Sequence, residues 1–356
     1  MAFTHSAIVT VDAGDRTILI KQETLQWERL LNGRSTAEWT MADEKGAFRP
    51  STGMPVIIEE LTQDTPGGPT TLRLRFAGLL TKADEAELGG TLLHWKCKAG
   101  SYEQLFDRFY VTRRYERRNL DQIVPDILDT TDISVEGLTY TGVEQGPRWR
   151  EFVANTITVQ QAFTDLTEFS GFSYWIDVPA SWPAGTLDLQ FRKPTTPPGS
   201  PVTLDSANLE RPPQAEKPKV NPDLSCYANR VIVVGGDNIH NWVAQKSNNV
   251  EIAARAAHEG TAGVHTKRFD RPSVTNRQHL LALAEALLAR YSVTLSSKTF
   301  VGVTRVPGFE VGQEVVVNLP DQGLANVDML INRIKTRVRG TGKDWTHEIQ
   351  AKGPTA

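Results

Sequence analysis

Cysteine is nearly absent: Cys97 and Cys226 are the only two in 356 residues. One disulfide between them is arithmetically possible, but two isolated thiols cannot form a zinc site alone and more often fill core positions as small hydrophobes. No apolar run approaches the roughly 18–20 residues that a membrane-spanning helix needs. The N-terminal "MAFTHSAIVTVDAGD" lacks the basic and long apolar regions of a secretory signal, so folding in a cytoplasm is the expectation. Neither charge dominates. Lys and Arg number 39 against 42 Asp and Glu, a net of −3, which argues against a chain that coats nucleic acid while leaving local patches open.

Signatures of chemistry are equally scarce. There is no G-x-S-x-G nucleophile elbow and no H-E-x-x-H zinc motif. His240, His258, His265 and His279 are irregularly spaced and read as exposed or hydrogen-bonded side chains. "VVGGDN" (Val233 to Asn238) lacks the third glycine and the following helix that a phosphate loop requires, so it reads as a turn ending a strand. The acidic groups Asp84-Glu85-Glu87 and Glu59-Glu60 lie by turns and strand ends and read as solvated faces. No catalytic, cofactor-binding or metal-ligating residue is assigned, no cofactor is expected, and the chain is not expected to be an enzyme.

What the sequence has in quantity is short β-forming runs. "SAIVTV", "TILIKQ", "AEWTM", "PVIIEEL", "TLRLRFAGLLTKA" and "TLLHWKCKA" are separated by Gly, Pro, Asp or Asn. In "TLRLRFAG", Leu72, Leu74 and Phe76 alternate with Arg73 and Arg75, which predicts a half-buried strand with its leucines inward. Residues 1–112 therefore read as a first β-barrel domain. "NLDQIVPDILDTT" then spaces Leu120, Ile123, Val124, Ile127 and Leu128 as on a helix, with Pro125 predicting a kink or a late start. "TVQQAFTDLTEFSG" is a second helix, capped by Thr158 and Gln161, striped by Ala162, Phe163, Leu166 and Phe169, and stopped by Gly171. With the strands "FSYWIDV" and "TLDLQF", residues 113–193 read as an inserted α/β domain.

Residues 194–222 are a Pro-rich linker in composition, with one possible strand at "PVTLD". Residues 223–356 read as a second β-barrel domain. It opens with "NRVIVVGG", carries a helical insertion near 275–291 with Thr275 and Gln278 as its capping box, and ends in four strands. The most basic run, "RFYVTRRYERRN" (Arg108 to Asn119), interleaves aromatics with arginines as single-strand binders do. The favoured reading is a crossing strand whose arginines pair with carboxylates at a subunit interface.

Two stretches far apart share one shape. "FRPSTGMPVIIEE" and "VPGFEVGQEVVVNLP" each run from proline to glycine and into a Val/Ile strand. Each is followed by a long strand with a basic residue (Lys82, Lys335), a Gly-containing turn, and a strand centred on tryptophan (Trp95, Trp345). The order predicts two related tube-like antiparallel β-barrels in one mainly β chain. Three such chains could set six barrels in a closed ring.

The order of "LNGRSTAEWTM", "FAGLLTKAD", "CKAGSYEQLFDR", "IVPDIL", "TVQQAFTDLTEFSGFSYWID", "NRVIVVGG" and "VPGFEVGQEVVV…LINRIKTR" resembles the tail-hub, or baseplate-hub, proteins of long-tailed bacteriophages. That resemblance implies a homotrimer at the distal tip of the virion tail, assembled in the host cytoplasm without a membrane anchor. Its implied partners are a distal tail protein ring or tail tube, a tape-measure protein, and a spike or fibre. DNA would pass at infection without specific binding, through a neutral or acidic channel wall. The chain ends soon after the second barrel, so no fused lytic domain is expected. A rival reading is a carbohydrate-binding module, which exposed Trp149, Trp175 or Trp182 would support.

Overall fold

Short runs of alternating residues and frequent turn signals produce strands here, and the computed structural model is accordingly mainly β. It describes residues 4–353 apart from 44–47, 64–69, 89–91, 132, 134–136, 180–181, 183–184, 197–199, 210–217, 223–226, 237–240, 272–273, 275, 293–297 and 340–343. Cys226, His240, Thr275 and the Asp237-Asn238 end of "VVGGDN" lie outside the described residues.

The N-terminal part comprises β1 (Thr4–Val11), β2 (Gly14–Asp15), β3 (Gln26–Leu30), β4 (Thr36–Asp43), β5 (Pro55–Gln63), β6 (Thr70–Leu88) and β7 (Leu92–Ser101). "TILIKQ" forms 3-10 turns instead of a strand, and β3 follows it unannounced by any strong strand pattern. The inserted module holds β8 (Tyr110–Asn119), α1 (Leu120–Thr130), β9 (Leu138–Val143), β10 (Arg148–Thr158), α2 (Val159–Ser170), β11 (Ser173–Asp177) and β12 (Leu187–Arg192). α1 starts at Leu120 and runs through Pro125, with Asn119 and Gln122 forming a capping box. Thr158 caps α2 by accepting from the Gln161 amide, and Gly171 ends it in the left-handed conformation.

The Pro-rich stretch contributes β13 (Thr203–Asp205) and β14 (Lys219–Pro222). Next come β15 (Arg230–Gly236), β16 (Asn241–Ser247), α3 (Asn249–Glu259), β17 (Thr266–Arg271) and α4 (Arg277–Tyr291), capped by Asn276. Strands β15, β16 and β17 pair only with one another among the described strands, and α4 closes their small core through Leu280, Leu283, Ala284 and Leu287. "NRVIVVGG" thus opens a second α/β module. The chain ends with β18 (Lys298–Thr304), β19 (Glu314–Leu319), β20 (Leu324–Arg339) and β21 (Asp344–Lys352).

Thirteen strands from the two ends of the chain form one sheet, ordered β14-β18-β21-β20-β3-β4-β7-β6-β5-β1-β2, with β19 and β13 branching from β20. No pairing among the described strands closes it into a barrel. The two repeats meet edge to edge where β3 pairs antiparallel with β20, Leu30 opposite Arg333 and Gln26 opposite Arg337.

Within the sheet the two repeats share a hydrogen-bonded corner. The Gly53 amide donates to the Leu80 carbonyl (2.8 Å) and the Leu80 amide to the Met54 carbonyl (2.8 Å). Gly312 donates to Ile331 (2.8 Å) and Ile331 to Gln313 (2.9 Å) in the same way. Gly53 and Gly312 have φ of 91° and 84°, which residues with a Cβ adopt only at a cost. One residue beyond each corner the next ladder bulges, between Leu80 and Lys82 and between Ile331 and Arg333.

The shared corners and bulges fix the correspondence. Lys82 matches Arg333, not Lys335, and Trp95 matches His347, while Trp345 falls at the position of Leu93. A shift of two residues keeps every side chain on its face, so sequence pattern alone does not detect it. Trp345 packs edge-to-face on Trp27 (centroids 5.3 Å apart) and joins the core of the first repeat.

A second departure lies in β6. Phe76 is buried as expected, but Leu72 and Leu74 are 51% and 40% exposed and Arg75 is buried. The β5–β6 ladder bulges between Ile58 and Glu59, with Ile58 opposite Phe76 and Glu59 opposite Leu74. Arg75 is the extra residue, and the bulge turns its side chain inward.

Replacing either corner glycine by alanine is expected to destabilise the chain by about 1–2 kcal/mol. Gly53→Ala and Gly312→Ala should cost similar amounts in urea unfolding; an unaffected Gly312→Ala would separate the two corners.

Candidate functional site

Arg75 turns inward onto Glu310, which lies in the "VPGFEVGQ" turn of the other repeat. The Glu310 carboxylate accepts from Arg75 and from Arg29 of β3, and Arg75 Nε lies 2.5 Å from Glu60. Burial pushes the Glu310 carboxyl up, but Arg29 and Arg75 outweigh it and hold it below the usual range. Burial likewise opposes the charge on Arg75, and Glu310 and Glu60 more than compensate. Glu60, expected on a solvated face, is fully buried as one arm of this network. Three segments distant in sequence are therefore tied by alternating charges, each of which would be expensive to bury alone.

The inserted module docks beside this joint. The Ile176 amide of β11 donates to the buried Glu103 carboxylate (3.0 Å), and burial raises the pKa of that group. Asn32, at φ 56°, accepts the Tyr174 amide on its side chain (2.9 Å) and the Tyr174 hydroxyl on its carbonyl (2.9 Å). Trp182 Nε1 donates to the Tyr102 hydroxyl (2.7 Å). Between module and joint lies a cleft of about 670 Å³ reached by Arg73, Trp175, Arg192 and Glu310. Arg192 sits over the Trp175 ring at 5.2 Å. Trp149 is buried and Trp182 packs partly buried on the same core. The two modules also touch: Glu168 of α2 pairs with Arg271 of β17, and Arg150 donates to Gln278 (2.7 Å).

The arginine-rich segment is β8, in a two-stranded ribbon with β10. Glu116 and Glu151 stand directly opposite, and Arg114 reaches both at 2.9 Å, cancelling their repulsion. Arg113 lies 3.9 Å from Asp126, so those arginines pair within the chain. Arg117, Arg118 and Arg148 are exposed and have no ion pair among the described residues. Arg148 Nε instead donates to the Arg117 carbonyl (3.1 Å), and Arg117 adopts φ 52°.

No group of three or more His, Cys, Asp or Glu among the described residues could hold a metal. His265 meets Glu259 (3.0 Å) and stacks edge-on to Tyr227, and His279 lies edge-on to Trp149. Burial lowers the His279 pKa. Gly235 of "VVGG" serves packing: a Cβ there would stand 2.6 Å from the Val274 carbonyl. Asp84 pairs with Lys82 on the surface (2.6 Å).

No protein-family model and no curated protein matches the sequence. Solved structures do. The 43 kDa tail protein of prophage MuSo2 from Shewanella oneidensis aligns over 99% of both chains at 12% identity, TM-score 0.66. A tail protein from Neisseria meningitidis covers 98% of this chain and 96% of its own (13% identity, TM-score 0.63). Prophage tail protein gp18 of Listeria monocytogenes covers 98% and 95% (11% identity, TM-score 0.55). The chain has the fold of phage tail proteins. At such identities the likeness carries the architecture over both chains' full lengths, inserted modules included.

Removing the Glu310 charge should loosen the joint. Glu310→Gln is expected to cost about 1–3 kcal/mol at neutral pH. A carboxyl with a depressed folded pKa stabilises above its unfolded value and loses that contribution as pH falls through the folded one. The gap between wild type and Glu310→Gln should therefore narrow in acid. Urea unfolding across pH checks this, and a gap that widens in acid would contradict it.

Proposed function

We propose that this chain is a structural hub of a phage tail tip, three copies forming a ring of six sheet repeats that ends the tail tube. The observation that carries this reading is the matched pair of corners, Gly53–Leu80 and Gly312–Ile331, held in one sheet. A chain with two like repeats supplies two of six positions, so a threefold assembly can meet a sixfold tube. The full-length likeness to tail proteins supports the same reading. The ring would join tube to spike or fibre, receive the end of a tape-measure protein, and open to DNA at infection.

The Glu310 network suits such a part because it holds the two repeats at a fixed angle without any moving group. The hub acts by geometry and not by catalysis. The buried ring of Trp149 and the partly buried rings of Trp175 and Trp182 weigh against a carbohydrate-binding face.

Antibodies to the chain should label the distal tail tip of intact virions, and the purified chain should leave peptidoglycan uncleared on a zymogram. Label on the capsid or along the tail shaft, or a cleared zone, would contradict the proposal.

A further inference from the structure

The two repeats have the same strand order, β14-β18-β21-β20 and β3-β4-β7-β6, laid end to end. Register carries the match to single residues. Ala37 of β4 lies opposite Ala99 and Phe300 of β18 opposite Ala351, so β18 is the counterpart of β4. Trp27 lies opposite Ala37, and Val220 opposite Phe300, so β14 is the counterpart of β3.

This match exposes an asymmetry. In the second repeat, the stretch of β20 beyond the bulge is filled on its outer edge by β3. In the first repeat, the equivalent stretch of β6, from Lys82 onward, pairs among the described strands with β7 only. β5 ends its pairing at Leu79, and Lys82, Asp84 and Glu85 are exposed. At the other end of the sheet, β14 pairs with β18 and with no second strand among the described residues. An open strand edge of this kind is a template for another chain.

We propose that β14 of one copy adds antiparallel to the open edge of β6 in the next copy, repeating between chains the junction that β3 and β20 make within one. The proposal rests on the ring reading above and names the contact that closes it. The in-chain junction sets the register. Lys335 faces Glu28 and Thr336 faces Trp27. Transferred residue by residue, Asp84 faces Asn221, Glu85 faces Val220 and Ala86 faces Lys219.

Hydrogen bonding fits this register. Leu31 donates to Asn332 (3.0 Å) and Val338 to Leu25 (3.0 Å), so the bonded pairs of the in-chain junction include Trp27 with Thr336. Between chains the matching bonded pair is Val220 with Glu85. Pro218 takes the place of Leu25, whose own amide turns away to Gln22 (3.1 Å). A residue that only accepts is sufficient there, and proline is tolerated. Pro222 takes the place of Arg29 and can accept from the Ala83 amide.

Charge distinguishes the two junctions. Within the chain, β20 is basic and β3 supplies the acid, Arg333 Nε lying 2.7 Å from Glu28. Between chains the signs reverse on the shared face, where Asp84 on β6 lies diagonal to Lys219 on β14. Reversed polarity keeps the two junctions from exchanging strands.

The test uses the full chain carrying Asp84→Cys and Asn221→Cys. These positions form a non-hydrogen-bonded pair, where Cα atoms about 4.5 Å apart can be bridged. Oxidation should give a covalent trimer on a non-reducing gel, with the 84–221 link identified by mass spectrometry. A second variant, Glu85→Pro, removes an amide that by this register points to the open edge and has no ladder partner among the described residues. It should leave thermal unfolding of the monomer nearly unchanged and weaken trimer formation about tenfold or more by sedimentation. A trimer that forms no 84–221 link and is indifferent to Glu85→Pro overturns this contact while the ring reading stands. A chain that stays monomeric up to millimolar concentration, with no cross-link, overturns both.

Discussion

A single carboxylate, Glu310, governs how the two halves of this chain meet. It is held by Arg29 from the junction strand β3 and by Arg75 from the bulged strand β6, and Arg75 is shared with Glu60. Arg75 and Glu60 are buried and Arg29 and Glu310 half-buried, and charges removed from water in this way are tolerated only when paired, so the arrangement allows little displacement of one repeat against the other. The cost of the bulge at Arg75 is visible on the outside of the same hairpin, where Leu72 and Leu74 face solvent.

The joint also explains where the modules sit. The corner that presents Glu310 is positioned by Gly312, whose φ and hydrogen bond to Ile331 reproduce those of Gly53 and Leu80. Beside it, the buried Glu103 and the left-handed Asn32 fasten β11 of the first module to the sheet. The second module reaches the first through Glu168–Arg271 and Arg150–Gln278. Polar ties at each boundary fix orientation in a way that apolar contact alone does not.

The corners were readable in the sequence because they depend on local rules: glycine where φ is positive, then a β-branched run. The helix cap at Thr158 is local too. Register was not readable, since a slip of two residues preserves the alternation, and Trp95 and Trp345 were paired for that reason. Nor was β3, five residues of mixed polarity, one of whose two partner strands lies some 300 positions away. The bulge that buries Arg75 depends on Glu310, and no window around "TLRLRFAG" contains that information. Glu59-Glu60 looked like one solvated pair, yet the strand sends its two side chains to opposite faces and buries Glu60.

The proposed reading is of a rigid adaptor. One chain carries two copies of the same sheet unit, welded by β3–β20 and the Glu310 network, and two α/β modules that leave the repeated strand order undisturbed. Its central claim is that these repeats occupy adjacent places in one sixfold ring. Electron cryomicroscopy of the assembled tail tip tests this most directly. The account predicts six like sheet units at one radius, with successive units turned by about 60° about the tail axis. A threefold density whose two repeats lie at different radii would contradict it.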